Sequence, residues 1–285
     1  MMLFLSRPDR SITLSHLLRA VGTGSVLLLT SAVFAADGWE VTTGLGVGVG
    51  PRYSGGRETV TGPVASLDIK APMGFFLGTQ TGIGWGADLG KRGSFSVFAG
   101  LSPERKDHRA RFEGSDYLRG MGKIKRRGLL GFNAKVEMGI FELESTLSFT
   151  DKGDDEDYID AQGNRATARQ EGYTTLRLGL GTQFYEGVAG TLVGSVLADW
   201  GDRHYMMTWY GVNPLQASRS RFASYSPGPG LVDVGANLSW TLPINKQTSL
   251  IVNGEALRLV GDAADSPIVL RKTQLSGSTI VSYTF

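Results

Sequence analysis

The chain has 285 residues, of which 40 are glycine, none is cysteine and 20% are charged, and its formal net charge is +2. Glycine far above the usual ~7% favours closely paired strands over helices. The lack of cysteine excludes a fold held by disulfides. The near balance of charge provides no basic field for nucleic acid, so no nucleic-acid partner is expected.

The first 35 residues predict a secretory signal peptide. Three arginines form a basic region before residue 20, and the apolar stretch 21–35 follows. Val33 and Ala35 are small residues at the positions that a signal peptidase requires, so cleavage is expected after Ala35. The apolar stretch is shorter than the ~20 residues of a spanning helix, which argues against a membrane anchor. The mature chain, 36–285, is then close to neutral.

Strand-like segments with a period of two recur along the mature chain. In 39–49, WEVTTGLGVGV, large apolar residues alternate with glycine, threonine and glutamate over about the length that a tilted strand needs to cross a bilayer. The same alternation is found at 63–69, 74–89, 94–101, 129–140, 141–149, 176–184, 231–242 and 278–285. Residues 188–200 and 248–260 are also strand-like, but both of their faces contain apolar residues.

The charged face opposite each apolar face fits either a soluble sandwich or a membrane barrel. Three features favour the barrel. Aromatic residues lie at strand ends, as interfacial girdles require. Long and short connections alternate, as in outer-membrane barrels. The chain also ends on a bare aromatic, with Tyr283 and Phe285 on the apolar face of the last strand, which is the usual ending of such barrels.

Loop length predicts the orientation and the strand number. Short turns at 90–93, near Gly139, at 185–187 and at 243–247 are expected to face the periplasm, and long connections at 102–126, 151–172, 201–230 and 261–267 the outside. About eleven strands are visible, whereas two periplasmic termini require an even number. The missing strand is expected within 59–90, where Gly82 or Gly84 could break the long segment. The predicted fold is all-β, a transmembrane antiparallel up-and-down barrel of about 12 strands, with 10 as the alternative.

Candidate catalytic and metal-binding residues are few. His108 and His204 are the only histidines after residue 35, and neither is accompanied by a G-x-S-x-G-like nucleophile motif. The acidic loop 151–160 lacks the glycine and glutamate spacing of a calcium loop. The loop 102–126 is basic, so it could contact lipid phosphates or neutralise the acidic loop. No phosphate-binding glycine loop precedes a helix. The sequence therefore predicts no enzyme and no cofactor.

Several segments after residue 200 resemble the MipA/OmpV family of outer-membrane proteins. In that family a tyrosine precedes a Tyr/Phe-Gly-Val segment, as Tyr205 precedes Tyr210, Gly211 and Val212 here with one residue more between them. A Gly-Asp-Ala-Ala-x-Ser-Pro-Ile-Val segment precedes the last strand. It matches Gly261, Asp262, Ala263, Ala264, Ser266, Pro267, Ile268 and Val269 of this chain.

The resemblance implies an outer-membrane scaffold, without established catalytic residues. Its name-giving member binds a lytic murein transglycosylase and a bifunctional penicillin-binding protein, and other members are associated with adhesion and with osmotic or antibiotic response. The two motifs can act in loop interactions or be structural. In the structural interpretation, Asp262 and Asp265 cap a tight loop and Pro267 starts the last strand.

A small-solute channel is the alternative function. The expected lumen face carries Glu40, Asp68, Lys135, Glu137, Glu142, Glu144, Arg177 and Asp233. Side chains could fill a barrel of about twelve strands or leave a narrow pore. In either case outer-membrane lipid and lipopolysaccharide are the expected surroundings. The C-terminal aromatic end, Tyr283 and Phe285, is expected to be read by the assembly machinery of outer-membrane barrels.

Overall fold

A computed structural model of the chain describes residues 38–90, 92–159 and 163–285. The predicted signal peptide and its cleavage site at Ala35 lie outside the described residues. The described chain folds into a closed antiparallel barrel of twelve strands, with a separate two-stranded hairpin. The predicted all-β barrel of about 12 strands is therefore confirmed.

The strands follow one another around the barrel in chain order, and the hairpin and helices lie between them. The barrel strands are β1 (Glu40–Pro51), β2 (Thr59–Lys70), β3 (Phe75–Gly78), β4 (Gly82–Asp88), β5 (Gly93–Leu101), β6 (Gly128–Met138), β7 (Phe141–Thr150), β10 (Tyr173–Gly187), β11 (Gly190–Gly201), β12 (Gly230–Pro243), β13 (Thr248–Leu259) and β14 (Thr273–Thr284). The hairpin is β8 (Glu156–Ile159) and β9 (Arg165–Ala168). The helices are α1 (Arg203–Tyr210), α2 (Pro214–Arg219) and α3 (Gly261–Ala264), with short 3₁₀ turns at Pro72–Gly74 and Asp116–Leu118.

The first and last strands close the barrel. β1 pairs with β14 from Thr42 opposite Thr284 to Val49 opposite Gly277. No strand in the described part of the ring is left without two neighbours, so the barrel has no open edge. None of the described helices combines the length and hydropathy needed to cross a membrane.

The strand missing from the sequence pattern lies within 59–90, as predicted. The segment 74–89 forms two strands, β3 and β4, with a turn at 79–81. The turn comes just before the expected glycines, and Gly82 opens β4 with φ +80°. A Cβ on Gly82 would lie 2.1 Å from the Ala99 carbonyl oxygen of β5, so a residue with a side chain does not fit there.

The two faces of each barrel strand differ as the alternation predicts. Outward positions carry large exposed apolar side chains, such as Leu45, Ile83 and Val196. Inward positions are dominated by glycine, serine, threonine and charged residues. The cross-strand register places the eight predicted lumen residues on the inward face. They are Glu40, Asp68, Lys135, Glu137, Glu142, Glu144, Arg177 and Asp233.

The two strands that the sequence could not orient have apolar residues in the lumen. Leu197 of β11 lies inward, with its Cδ2 atom 3.4 Å from the Cβ position of Gly179 on β10. Leu257 of β13 likewise has its Cδ2 atom 2.7 Å from the Cβ position of Gly235 on β12. These leucines cover glycines of neighbouring strands. That packing puts apolar residues on both faces of β11 and β13.

From residue 90 onward the connections alternate between short turns at one end and long loops at the other, as predicted, whereas the three-residue β3–β4 turn at 79–81 lies at the long-loop end. The loop before the last strand is longer than expected. It runs over 260–272, contains α3, and β14 begins at Thr273. The expectation that Pro267 starts the last strand is therefore wrong. Ile268 is buried and the backbone turns at this point, so the residues around Pro267 pack into the loops instead.

Candidate functional site

The loops at the long-loop end share one buried core, which we call the loop plug and which comprises 52–58, 102–127, 202–229 and 260–272. Most fully buried large side chains of the described chain lie in these segments or at the adjoining strand ends. They include Tyr210, Leu118, Met121, Met206, Leu259, Ile268 and Val212. Most apolar residues of the barrel strands point outward, so this core is formed mainly by the loops and by the strand ends next to them. The loop plug covers this end of the barrel.

Tyr210, the last residue of α1, joins three loops. Its side chain is 1% exposed, and its hydroxyl lies 2.8 Å from the Ser54 hydroxyl in the β1–β2 loop. The Ser266 hydroxyl donates to the Tyr210 carbonyl at 2.5 Å. In the same region the Tyr53 hydroxyl donates to the Ile268 carbonyl at 3.0 Å. Burial raises the pKa of Tyr53 above its ordinary value, so this hydroxyl keeps its proton and remains a donor.

Helix α1 is fixed at its start by Asp202 and at its end by Gly211 of the first motif. Asp202 caps its start, since one carboxylate oxygen accepts from the Tyr205 amide at 2.7 Å and the other from the Thr174 amide at 2.8 Å. At its end, the Gly211 amide donates to the carbonyls of the preceding turn, and a Cβ there would lie 2.6 Å from the Met207 oxygen. Val212 then pairs with Tyr225 in an isolated bridge. The motif therefore turns the chain back across the barrel mouth.

The second motif ties its loop to the loop before β12. Gly261 has φ +50° and begins α3. The Asp262 carboxylate accepts from the Gly228 amide at 2.7 Å, and the Tyr225 hydroxyl donates to the Asp262 carbonyl at 2.8 Å. Asp265 instead contacts Lys272 at 3.0 Å. Asp262 thus bonds a neighbouring loop. The structural interpretation, in which Asp262 caps its own loop, is therefore wrong for this residue.

A buried arginine that the sequence did not single out crosses between loops. Arg105 is 3% exposed, and its Nη1 atom donates to the Trp209 carbonyl at 2.6 Å, in the last turn of α1. The guanidinium also lies 6.0 Å from the centre of the Trp209 ring. Burial lowers the pKa of Arg105 to about 10. Loops that start four strands apart around the barrel are joined by this contact.

The acidic loop folds over the outside of the plug as the hairpin of β8 and β9. Arg219 of α2 holds Glu156 in two bonds of 2.6 and 2.9 Å, and Lys125 holds Asp154 at 2.6 Å. Hydrogen bonding from Arg219 lowers the pKa of Glu156. The basic loop therefore neutralises part of the acidic loop, one of the two roles considered for it. A cleft of about 290 Å³ separates the hairpin from α1 and α2.

Neither histidine forms a hydrogen bond with a serine or threonine hydroxyl among the contacts of the described residues. The His108 ring contacts Asp107 at 3.2 Å on the surface. His204 belongs to α1 and lines the cleft, while the carboxylate of nearby Asp202 is occupied by the two backbone amides. In the described ranges, no cluster of His, Cys, Asp and Glu could hold a metal ion.

The inward wall of the barrel is acidic and partly paired. Arg177 binds Asp199 through two bonds of 2.8 and 2.7 Å, and Lys135 lies 3.3 Å from Glu142 and 3.8 Å from Glu144. The register adds inward carboxylates that the sequence analysis missed, because their strands were unoriented or misdivided. They are Asp88, Glu186, Asp199 and Glu255. Inward carboxylates outnumber the inward cations Lys70, Lys135 and Arg177.

The C-terminal end completes the closing seam at the short-turn end. The Phe285 amide donates to the Val41 carbonyl at 2.9 Å, beyond the last residue of β14. The Tyr283 and Phe285 rings pack edge to face with centroids 4.8 Å apart. Both side chains are partly exposed on the outward face. The predicted terminal pair thus lies at the level of the barrel where an aromatic girdle is expected.

Solved outer-membrane barrels resemble the chain in fold. The translocator domain of the autotransporter NalP from Neisseria meningitidis is 13% identical, with a TM-score of 0.44 over 88% of this chain and 90% of that chain. The TodX deltaS2S3 mutant monoaromatic hydrocarbon channel is 12% identical, with a TM-score of 0.41 over 88% and 91%. The NanC porin is 8% identical, with a TM-score of 0.40 over 85% and 98%. A comparison with curated proteins gives no match.

A family model gives a direct match. The model described as MltA-interacting protein MipA matches residues 43–285, from the first strand to the last residue. This range holds the barrel and both loop motifs, and it confirms the resemblance found in the sequence. The chain therefore belongs to the MltA-interacting protein MipA family, with an outer-membrane-type β-barrel fold.

Proposed function

We propose that the chain is an outer-membrane scaffold that holds a murein transglycosylase and links it to a penicillin-binding peptidoglycan synthase. The family description, which names an interaction with MltA, supports this role. Export would use the signal peptide 1–35 with cleavage after Ala35. In this location the long loops face outward among lipopolysaccharide, and the short turns and the open end of the lumen face the cell wall.

The observation that carries the proposal is the loop plug. A permanently open channel requires a water-filled path through both ends of the barrel. Here loops from distant parts of the ring meet in an apolar core over one end, with Tyr210 and Leu118 1% or less exposed. We assign the motif residues Tyr205, Tyr210, Gly211, Val212, Gly261, Asp262 and Ser266 to maintaining this closure. Pro267 belongs to the same loop.

Retention of a purified murein transglycosylase by the barrel in phospholipid nanodiscs tests the scaffold. The proposal expects binding that survives a change in the outer loops, Lys123→Ala. Binding should fall after Glu142→Lys, which reverses charge on the inward face beside the β6–β7 turn. A barrel that retains no transglycosylase, or that loses it with Lys123→Ala alone, would contradict the proposed role and geometry.

A gated channel for small cations is the second candidate. The acidic inward wall favours it. Many residues on this wall are half-buried, so they remain partly accessible from the lumen, including Ser195, Asn237 and Glu255. Carboxylates along a narrow lumen concentrate cations and repel anions. In this function the loop plug acts as the closed state of a gate.

Single-channel recording in a planar bilayer separates the two functions. The scaffold expects a silent barrel, with or without the transglycosylase. Discrete conductance steps of the unmodified barrel would favour the channel. Conductance steps that appear only when the transglycosylase is added would show that one assembly has both the scaffold and the channel function.

A further inference from the structure

The turns at the short-turn end of the barrel, which we call the rim, each carry one large aliphatic side chain. These aliphatic tips are Met73, Leu89, Ile140, Val188 and Ile244, and each is more than half exposed. Met73 is 85% exposed, Ile140 77% and Val188 100%. Tight turns normally hold glycine, proline, asparagine, aspartate or serine. Five turns with an exposed aliphatic residue therefore need a reason outside turn geometry.

Met73 occupies a backbone conformation that disfavours it. Its φ of +66° makes it the one residue other than glycine with positive φ in the described chain. Glycine or asparagine would adopt this conformation more readily. The methionine side chain makes no buried contact that compensates, because most of it is exposed. No contact within the protein therefore offsets the cost of this conformation.

Two tryptophans set the depth of these turns relative to the membrane. The Trp85 indole nitrogen donates to the Met73 carbonyl at 2.7 Å, and the Trp240 indole nitrogen donates to the Ala189 carbonyl at 2.7 Å. Both indoles lie on the outward face, where tryptophan marks the boundary between hydrocarbon and headgroups. The turns of Met73 and Val188 are therefore level with that boundary.

Charge at the rim matches phospholipid headgroups. Arg92 follows Leu89 in one turn and Lys246 follows Ile244 in another, and both are exposed. Neither has an ion-pair partner among the residues that the structure describes. An aliphatic residue beside a free cation suits the headgroup layer, where the chain reaches acyl carbons and the cation reaches phosphate.

We propose that the aliphatic tips insert into the lipid leaflet on the short-turn side, so that this rim is a lipid-binding surface rather than a water-facing edge. The apolar outward face of the barrel continues into the tips without a polar break at Met138, Ile140 and Phe141. The inference does not depend on the scaffold role. It restricts a soluble partner to the lumen mouth inside the rim, where Glu137 and Glu142 are exposed.

Spin labels on single cysteines test this surface, and the chain has no native cysteine to interfere. Val188→Cys and Ile140→Cys would be labelled in the refolded barrel in vesicles of phosphatidylethanolamine and phosphatidylglycerol. Collision with oxygen, which prefers lipid, is compared with collision with a water-soluble nickel chelate. Val196→Cys on the apolar belt and Lys123→Cys in an outer loop are the lipid and water controls.

The proposal expects an oxygen-to-nickel collision ratio at both tips several-fold above that of Lys123→Cys and approaching that of Val196→Cys. Ratios equal to the Lys123→Cys value would overturn it. Shielding of the tips from both reagents only after addition of the transglycosylase would also overturn it, since it would show a protein interface instead. Val188 and Ile140 are exposed, so neither substitution removes a packing contact of the folded barrel.

Discussion

Tyr210 shows how one residue can close a barrel end. Two other loops reach it, 52–58 through its hydroxyl and 260–272 through its carbonyl, and its ring lies in the buried core. The ring of Tyr205 packs against it with centroids 6.4 Å apart. Since each loop alone has little apolar surface to bury, the shared tyrosine gives the loops a common core. The first family motif, to which Tyr210 belongs, therefore has a packing role in the loop plug.

Tyr210→Ala is expected to loosen the loop plug while the barrel stays folded. Removing a fully buried aromatic side chain costs about 3 to 5 kcal/mol where the site cannot collapse. Tyr210→Phe keeps the volume and loses one hydrogen bond, at about 1 kcal/mol. Limited proteolysis with fragment mass analysis should therefore cut the loops of the alanine variant much faster. Equal cleavage of both variants and the wild type would show that Tyr210 does not hold the plug.

At this scale the sequence identified motif residues but not their partners. Tyr205, Tyr210 and Ser266 were found through the family motifs. No periodicity signals which loop each one contacts. Arg105 was missed because it lies among eight Lys and Arg residues in 102–126, most of which are exposed in the structure. Burial of one arginine depends on the α1 carbonyl that it meets, and that carbonyl is distant in sequence.

At the scale of elements, the β8–β9 hairpin is held to the plug by exposed ion pairs. Surface pairs contribute little individually, about 0 to 1 kcal/mol. The Glu156 and Asp154 carboxylates each bond a cation, and hydrogen bonds from Arg219 and Lys125 lower their pKa values. A lowered folded-state pKa gives stabilisation that is present above the unfolded pKa and lost as pH falls through the folded one. Acid should therefore release the hairpin.

A spin label at Arg165→Cys in β9 should become more mobile as the pH falls below about 4, near the ordinary carboxylate range. Arg219→Gln should be mobile already at neutral pH and respond less to acid. Lys123→Gln, without an ion pair among the described residues, is the control and should behave like the wild type. If the mobility of the label changes neither with pH nor in the Arg219→Gln variant, packing rather than charge holds the hairpin.

The C-terminal residue Phe285, next to the last strand, presents a different test, because it has two roles to separate. Deleting Phe285 removes one backbone bond to Val41 and the ring contact with Tyr283. If the aromatic end is read during assembly, the deletion should lower the heat-modifiable folded population in outer membranes but leave refolding in detergent nearly unchanged. Phe285→Tyr keeps the aromatic ring and should assemble normally. Equal loss in membranes and in detergent would indicate a stability effect alone.

For the whole molecule, alternation predicted the barrel because each wall strand has only two environments, lipid and lumen. The exceptions are physical. The segment 74–89 alternates through its own turn, so the pattern could not show where β3 ends. The lumen leucines of β11 and β13 break the alternation because they cover glycines. The loop plug was not predicted, since contacts among loops leave no period in the sequence.

The acidic lumen leads to a prediction about the barrel once the central segment of its loop plug is removed. Deleting residues 204–225 removes α1 and α2, and the strand ladder, which supplies the barrel its backbone bonds, remains complete. In a planar bilayer under a KCl gradient, this variant should conduct in discrete steps. Its reversal potential should be shifted towards the equilibrium potential of potassium. Inward carboxylates attract potassium and repel chloride. Adding Glu142→Gln and Glu144→Gln should move the reversal potential towards zero. Ser145→Ala on the outward face of the same strand should leave it unchanged. Anion preference would contradict the inward carboxylates as the source of selectivity. A variant that stays silent although heat modifiability shows a folded barrel would mean that α1 and α2 are not the barrier.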